Sequence, residues 1–355
     1  MVEHNRGCMT KVAVALSGGV DSSVTALLFK QKGYEVVGIT GKMTNSPSAE
    51  LVCQNAKAVA DKLGIKHYIL DVSEKFGNKV IGYFNKAYLK SETPNPCAMC
   101  NKCIKWGAIF DYAINELCCD YFATGHYANI VKIGDYYTMA PAKDPRKDQL
   151  YFLFSLTQEQ FSKTLFPLYE YEKSQIREIA EKYDLPSKSA KDSQDICFIP
   201  KPKTLKDYLF ETIGKKKGDF INVETGKKCG EHEGCFQYTI GQRKGLDIGG
   251  TPNPLYVVKI DSNTNTVFVG EKDKAYGTEL KLKNAHKTYP FEENSFDVMT
   301  KIRYNMPFVK AHVEIYNDEA IMHFPEPVYS ITPGQAAVWY DINDGHLLGG
   351  GWIVE

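Results

Sequence analysis

The sequence carries no net charge: 43 Lys and Arg residues balance 43 Asp and Glu. That balance excludes a bulk attraction to nucleic acid, so any RNA contact has to come from local basic patches. No apolar run is long enough to span a bilayer as a helix, and no membrane partner is expected. The opening stretch MVEHNRGCMTK lacks the apolar core of a signal peptide, so the expected compartment is the cytoplasm. Internal repeats and low-complexity tracts are missing too. The ten cysteines are scattered rather than arrayed as a disulfide framework, as expected of free thiols in a reducing compartment. Cys8, Cys53, Cys118, Cys119, Cys229 and Cys235 read as packing residues or inert surface thiols. Two common phosphate-binding signatures are also absent. Without GxxxxGK[ST] no loop lysine reaches terminal phosphates, and without GxGxxG there is no dinucleotide fingerprint.

What is present is ALSGGVDSS at Ala15–Ser23, directly after the apolar run Val12–Val14. Val12, Val14 and Leu16 read as a buried strand, and Asp21–Lys32 as the helix that follows. Glycines between them let the backbone turn tightly, with N–H groups aimed at an anion at the helix N-terminus. Ser17, Ser22 and Ser23 add hydroxyl donors. SGGxDS resembles the PP-loop of the ATP pyrophosphatases, which hold pyrophosphate and transfer AMP to an oxygen. The alternative is an ordinary Gly/Ser turn, with Asp21 capping the helix.

Hydrophobic residues make up 43% of the 355-residue chain, enough for more than one core, and the length suggests two or three domains. Strand and helix alternate up to about residue 135. Strands are expected at Lys11–Leu16, Glu35–Thr40, His67–Val72 and Asp120–Thr124, with helices at Ala49–Leu63, Lys75–Leu89 and Ile104–Leu117. This alternation implies an α/β fold with a doubly wound parallel sheet, ligands binding at the strand carboxyl ends. The loop at Ser17, the GITGK turn and the ATGH turn would meet there. Helical patterns continue at Gln158–Leu165 and Glu172–Lys182. Beyond Lys201 short β-like runs suggest two small β-rich domains, the last a β-barrel. They fall at Gly218–Val223, Gly234–Ile240, Leu255–Ile260, Thr266–Val269, Val298–Tyr304, Ala311–Tyr316, Glu319–His323 and Ala336–Tyr340. The expected division is 1–202, 203–272 and 273–355.

Thr93–Trp106 reads TPNPCAMCNKCIKW, with Cys97, Cys100 and Cys103 spaced CxxCxxC before a helix expected to begin at Ile104. The prolines should keep Thr93–Pro96 extended. A thiol at a helix N-terminus tends toward thiolate, hence nucleophile or metal ligand. A further cysteine, Cys197, stands in DSQDICFIP. Structural zinc would need a second half-site that is missing. An iron–sulfur centre suits the spacing better, and catalytic thiols lead.

SGGVDSS, TPNPxxxCNxxIKW, ATGHYA, KDQxYFL, DSQDICF, GQRKGLxIGG and TPGQAAV occur in that order from about Lys11 to Ile353. Together they resemble the tRNA-specific 2-thiouridylase family. The resemblance implies ATP binding through Ala15, Leu16, Ser17, Gly18, Gly19, Val20, Asp21, Ser22, Gly41 and Gly125. It places the two catalytic cysteines on Cys100 and Cys197. Asn95, Pro96 and Cys97 match the segment that meets the target base. His126, Lys147, Asp148, Gln149, Arg303, Tyr304 and Gln335 match tRNA-contacting positions. Two departures stand out: Cys97 replaces the family's usual Asp, and Cys103 stands where a cysteine is unusual. The segment after Gly41 also lacks the acidic and aromatic residues common there.

The implied reaction uses ATP and Mg²⁺ to adenylate the uracil C2 oxygen of the tRNA wobble uridine. A persulfide on Cys197, loaded by an upstream sulfur donor, then attacks C2, and Cys100 resolves it through a transient disulfide. A 4Fe-4S cluster on Cys97, Cys100 and Cys197 is the alternative sulfur carrier. RNA contacts are expected at Lys201, Lys203, Lys206, Lys215–Lys217 and Gln242–Lys244. Tyr208, Phe210 and Tyr238 would either stack on bases or pack in cores. Two other readings remain: an adenylating ligase for a small molecule, which leaves the paired cysteines unexplained, and a non-enzymatic metal- or RNA-binding protein, which leaves SGGVDSS unexplained.

Overall fold

The structure, a computed structural model, describes residues 9–190, 195–250 and 253–354. Cys8 and the Asp192–Gln194 part of the DSQDICF motif lie outside them. Val12, Ala13 and Val14 are fully buried, as a strand covered on both faces requires. They lie in β1 (Lys11–Ala15), which forms a sheet with β2 (Glu35–Lys42), β3 (Lys66–Asp71) and β4 (Tyr121–Ala123). A hairpin of β5 (Asn129–Ile133) and β6 (Tyr136–Ala140) precedes the fifth sheet strand, β7 (Thr164–Leu165). The order is β3-β2-β1-β4-β7, all parallel. The chain steps outward through β2 and β3, then returns to the far side of β1 for β4. That reversal opens a crevice at the carboxyl ends of β1 and β4, where open α/β sheets bind ligands.

Two β-rich parts follow. The first is a sheet of β8 (Gly218–Asn222), β9 (Lys228–His232), β10 (Tyr256–Asp261) and β11 (Thr266–Gly270), in the order β10-β11-β8-β9. The second is built from β12 (Tyr276–Lys287), β13 (Ser295–Lys301), β14 (Val309–Tyr316), β15 (Glu319–Tyr329), β16 (Ala336–Tyr340) and β17 (Leu347–Ile353). Pairing of β12 with both β15 and β17 closes it into the expected barrel. The barrel shares a core with the first part: Tyr151 and Phe154 pack with Val338, Leu347 and Trp352.

Several expected elements shift, each for a physical reason. The cysteine segment is helical from Pro96, not from Ile104. Asn95 caps it by accepting from Ala98 N–H at 3.1 Å, and Pro96 takes the first helical position, where its missing N–H costs nothing. The GITGK segment is not a turn, because β2 runs through Gly41 to Lys42. Thr164–Leu165 pairs as β7 instead of ending the helix Gln158–Ser162. Leu205–Ile213 is a helix inside the stretch expected to be β-like, started by the Thr204/Asp207 capping box. Gly234–Ile240 holds a 3₁₀ turn, not a strand, because Asn265 Oδ1 takes the Cys235 N–H at 3.0 Å. The Gly-rich β17 is not expected from the sequence, since glycine weakens strands. Gly349 is required there: a Cβ would lie 2.3 Å from Trp339 Nε1.

Candidate active site

The loop after β1 is shaped by its own hydroxyls. Ser22 Oγ accepts from Ser17 N–H at 3.2 Å and donates to Gly19 O at 3.1 Å, while Ser23 Oγ donates to Gly19 O at 2.8 Å. The helix α1 (Val20–Gln31) starts with Gly19 as its cap, and among the described residues no side chain takes its first N–H groups. Those donors face the crevice end of the helix, whose dipole favours an anion. Among the described residues a Cβ built on Gly19 meets only Ser17 Oγ, at 3.4 Å, so these residues leave space open over the loop. Free donors, open space and ringed hydroxyls fit a phosphate. Ala15, Leu16 and Val20 line the turn with backbone, since Leu16 and Val20 point into the core.

Gly125 belongs to this cradle. A Cβ there would lie 2.9 Å from Asp21 Cβ and Ser22 N, so glycine lets the ATGH turn press on the start of α1. Gly41 answers a different need, clearing Ile109 of the cysteine helix, whose Cδ1 would be 2.7 Å from a Cβ. Asp21 is not the helix cap. Lys173 Nζ donates to both its carboxylate oxygens at 2.7 Å, and Tyr127 OH donates to Oδ1 at 2.9 Å.

The three expected site thiols lie near one another. Cys97 and Cys197 are exposed, and Cys100 is partly buried. Desolvation by the surrounding protein raises the pKa of each, that of Cys100 to about 12. The neighbouring thiols add to the rise at Cys100, and Cys97 adds to that at Cys197. Opposing them at all three sulfurs is the Lys105 ammonium. Lys105 lies on the wide π-type stretch Asn101–Ile109, five residues on from Cys100. Cys103 also adds to the rise at Cys100, and its Sγ lies 3.6 Å from Met99 Sδ. Cys197 is exposed but not loose: the flanking Phe198 ring packs on Phe76, Phe84 and Tyr208.

Thiols and phosphate loop are linked through His126. Lys105 Nζ donates to His126 Nε2 at 3.3 Å, which leaves the ring proton on Nδ1, 2.7 Å from Thr124 Oγ1. Burial holds the His126 pKa well below its usual value, so the ring is neutral.

Of the other expected tRNA positions, Gln335 and Tyr304 join the barrel to the first part. Gln335 Nε2 donates to Thr93 O at 2.9 Å, and Tyr304 OH donates to Asp148 O at 3.1 Å. Asp148 accepts from the N–H groups of Ala142 and Leu150, and Gln149 Oε1 accepts from Tyr127 N–H. This shapes the turn that carries Lys147, which is half-buried. Arg303 donates from Nη2 to Ile240 O at 2.9 Å, bridging the barrel to the central part. Thr93 touches all three parts: its N–H donates to Pro333 O, and its Oγ1 lies 3.1 Å from Thr239 Oγ1. The TPNPC loop is therefore clamped from both sides.

Residues 10–201 match the family profile described as a tRNA methyl transferase HUP domain, 206–271 its PRC-barrel domain and 277–353 an aminomethyltransferase beta-barrel domain. The chain is 41% identical to the tRNA-specific 2-thiouridylase MnmA of Natranaerobius thermophilus, over 97% of both chains. It is 43% identical to that of Carboxydothermus hydrogenoformans, again over 97% of both. The chain belongs to the tRNA-specific 2-thiouridylase family. Among solved structures, it is similar to the U34-tRNA thiolase NcsA from Methanococcus maripaludis with its [4Fe-4S] cluster, at 22% identity and a TM-score of 0.36, over 54% of this chain and 60% of that one.

In this 2-thiouridylase family member two cations that the sequence analysis does not name meet site residues: Lys105 acts on the three thiols, and Lys173 pairs with Asp21. Lys105 stands inside the CNKCIKW motif and is readable there. Lys173 has no local signal, because its partner Asp21 is far away in sequence. The basic patches are partly satisfied internally: Lys201 pairs with Asp195, Lys203 with Glu211 and Lys215 with Glu233. Tyr208 and Tyr238 are core rings, whereas Phe210 carries Lys206 and Lys215 over its face.

Proposed function

We propose that the protein carries out ATP-dependent 2-thiolation of the wobble uridine of tRNA. The observation that carries this reading is the continuous link from phosphate loop to thiols through Gly125, His126 and Lys105. AMP transfer and sulfur attack thus fall to neighbouring groups. Oxide is a poor leaving group from C2; transfer of AMP to that oxygen makes it a good one and releases pyrophosphate. The loop N–H groups and the α1 dipole stabilise the departing charge. Magnesium, when bound, neutralises phosphate charge; it takes most of its ligands from phosphate and water, and Asp21 is the loop's one carboxylate.

Cys197 is the persulfide carrier, since its exposure lets an outside sulfur donor reach it. Its terminal sulfur attacks C2, AMP leaves with the former C2 oxygen, and the sulfur remains bound to C2 and to Cys197. Cys100 then attacks the Cys197 sulfur, releasing 2-thiouridine and forming a Cys100–Cys197 disulfide that an external dithiol reduces. The work belongs to a reducing compartment, the cytoplasm. Incubation with tRNA, ATP, magnesium and a persulfide donor should yield 2-thiouridine, with AMP and pyrophosphate in equal amount. Pyrophosphate release that ignores tRNA would favour a small-molecule ligase instead.

Cys97 supports a second sulfur carrier, because its thiol lies close enough to Cys100 and Cys197 to act on both electrostatically. Among the described residues these three sulfurs do not all approach within 4.8 Å of one another. A single tetrahedral ion spaces thiolates about 3.8 Å apart, from a metal–sulfur bond of about 2.3 Å; a multi-iron cluster spaces them more widely. Anaerobic reconstitution should load iron and sulfide into the native protein and Cys103→Ala, and less into Cys97→Ala. Full activity of iron-free protein with a trapped Cys100–Cys197 disulfide would decide for the persulfide.

RNA binding should be salt-sensitive despite the neutral chain, because phosphate contacts release counterions. Replacing Lys215, Lys216 and Lys217 together with Ala should weaken tRNA binding and flatten its salt slope, with ATP binding unchanged. A salt slope equal to the native one would reduce these lysines to solvated surface.

A further inference from the structure

Phe308 is a large apolar ring at the surface of the barrel, 45% exposed. A lone exposed apolar side chain needs no explanation by itself. The setting of this one does. Lys301 Nζ lies 4.6 Å from the centre of its ring, and the Tyr340 ring meets it edge-on at 5.0 Å. The ring is thus held in place by its neighbours and still open to solvent.

Strand register fixes where it stands. In β13 Val298 and Thr300 are fully buried, so Met299 and Lys301 point out of the barrel. Met299 lies opposite Lys310 of β14 and Tyr340 of β16, and Lys301 lies opposite Val338. Tyr340 and Val338 pack in the core shared with the first part. Lys301, Lys310 and Phe308, which immediately precedes β14, therefore mark the rim of that contact. The turn carrying Lys147 reaches the same rim: Tyr304 OH donates to Asp148 O at 3.1 Å, and the Lys301 ammonium is near enough to act on the Asp148 charge.

Charge decides what the rim can hold. Among the described residues neither Lys301 nor Lys310 is within ion-pair reach of a carboxylate, whereas Lys201, Lys203 and Lys215 are each paired. One open ring beside two unpaired ammonium groups suits a single-stranded nucleotide, whose base stacks while its phosphates meet the cations. An apolar protein partner would call for a much wider patch.

We infer that Phe308 is a stacking platform for an unpaired base of the bound tRNA, with Lys301 and Lys310 meeting the phosphates that flank it. The inference rests on the tRNA-thiolation reading above and adds a contact that has no part in the chemistry.

The test measures binding of an unmodified tRNA transcript and of ATP to the full-length chain over a range of salt. Phe308→Ala should weaken tRNA binding at least about fivefold, the loss of one stacked base, with a native salt slope. Lys301→Met/Lys310→Met should weaken it too and lower the slope by about 1.4, as two lost phosphate contacts on a single strand require. Phe308→Trp should keep the affinity, and its added fluorescence should be quenched by tRNA and not by a blunt RNA duplex, whose bases are already stacked. Equal quenching by the duplex would overturn the inference. Native tRNA affinity in Phe308→Ala would overturn it as well, with the thiolation reading intact. Loss of ATP binding and thermal stability alongside tRNA affinity in Phe308→Ala would make the ring a packing residue and overturn it too. A native protein that binds no tRNA would overturn both.

Discussion

Cys100→Ser and Cys197→Ser are each expected to leave no detectable 2-thiouridine under multiple turnover while ATP binding stays native. Serine keeps the size of the side chain and removes the sulfur, so the fold has little reason to change. The loop at Ser17–Ser23 is held by its own hydrogen bonds. The two variants should fail differently. Cys197→Ser cannot carry the persulfide, so sulfur from a labelled donor should not become protein-bound at that position. Cys100→Ser should still load Cys197 but stall after attack, leaving tRNA linked to the protein by a reducible bond. Nucleoside mass analysis reads the first outcome and non-reducing electrophoresis the second. Near-native thiolation by either variant would remove that cysteine from the mechanism.

Gly19→Val is expected to lower tRNA-dependent pyrophosphate release by at least about a hundredfold, the cost of losing one well-placed oxyanion donor or more. Gly19 is the informative glycine of the loop. Its φ of −89° is open to any residue, and among the described residues a Cβ there touches only Ser17 Oγ. Valine would therefore fit the fold and fill the space meant for phosphate. Gly18 makes the contrast: its φ is +71°, and a Cβ would lie 2.6 Å from Asn55 Cβ, so substitution there damages the fold itself. Thermal unfolding should separate the two, with Gly19→Val near native and Gly18→Val clearly destabilised. AMP transfer at the native rate by Gly19→Val would remove the loop from the ATP site.

The parts of this molecule that are legible in the sequence are those written in neighbouring residues. Buried Val12 and Val14, the glycine turn and the strand–helix alternation specify the parallel sheet. The start of the cysteine helix is legible too, but only if Asn95-Pro96 is taken as a cap followed by a first-turn proline instead of extended chain. Other features depend on distant residues meeting. Lys173 sits in YEKSQIREIAEK, an ordinary amphipathic helix by composition, and gains its meaning only from Asp21. Gln335 matches an RNA contact in the family pattern, while the fold shows its amide holding Thr93 and Pro94. No periodicity reports such a bond.

The clamp on the TPNPC loop has a consequence for biosynthesis. Thr93 is held by Pro333 and Gln335, and β17 lies beyond both. A nascent chain emerges N-terminus first, and contacts of such long sequence separation form late. The phosphate loop can take shape while the ribosome is still at work, but the thiol loop cannot be fastened until the last strand has been made. Competence for sulfur chemistry is thereby tied to completion of the polypeptide, and a prematurely terminated chain is left without a finished thiol site.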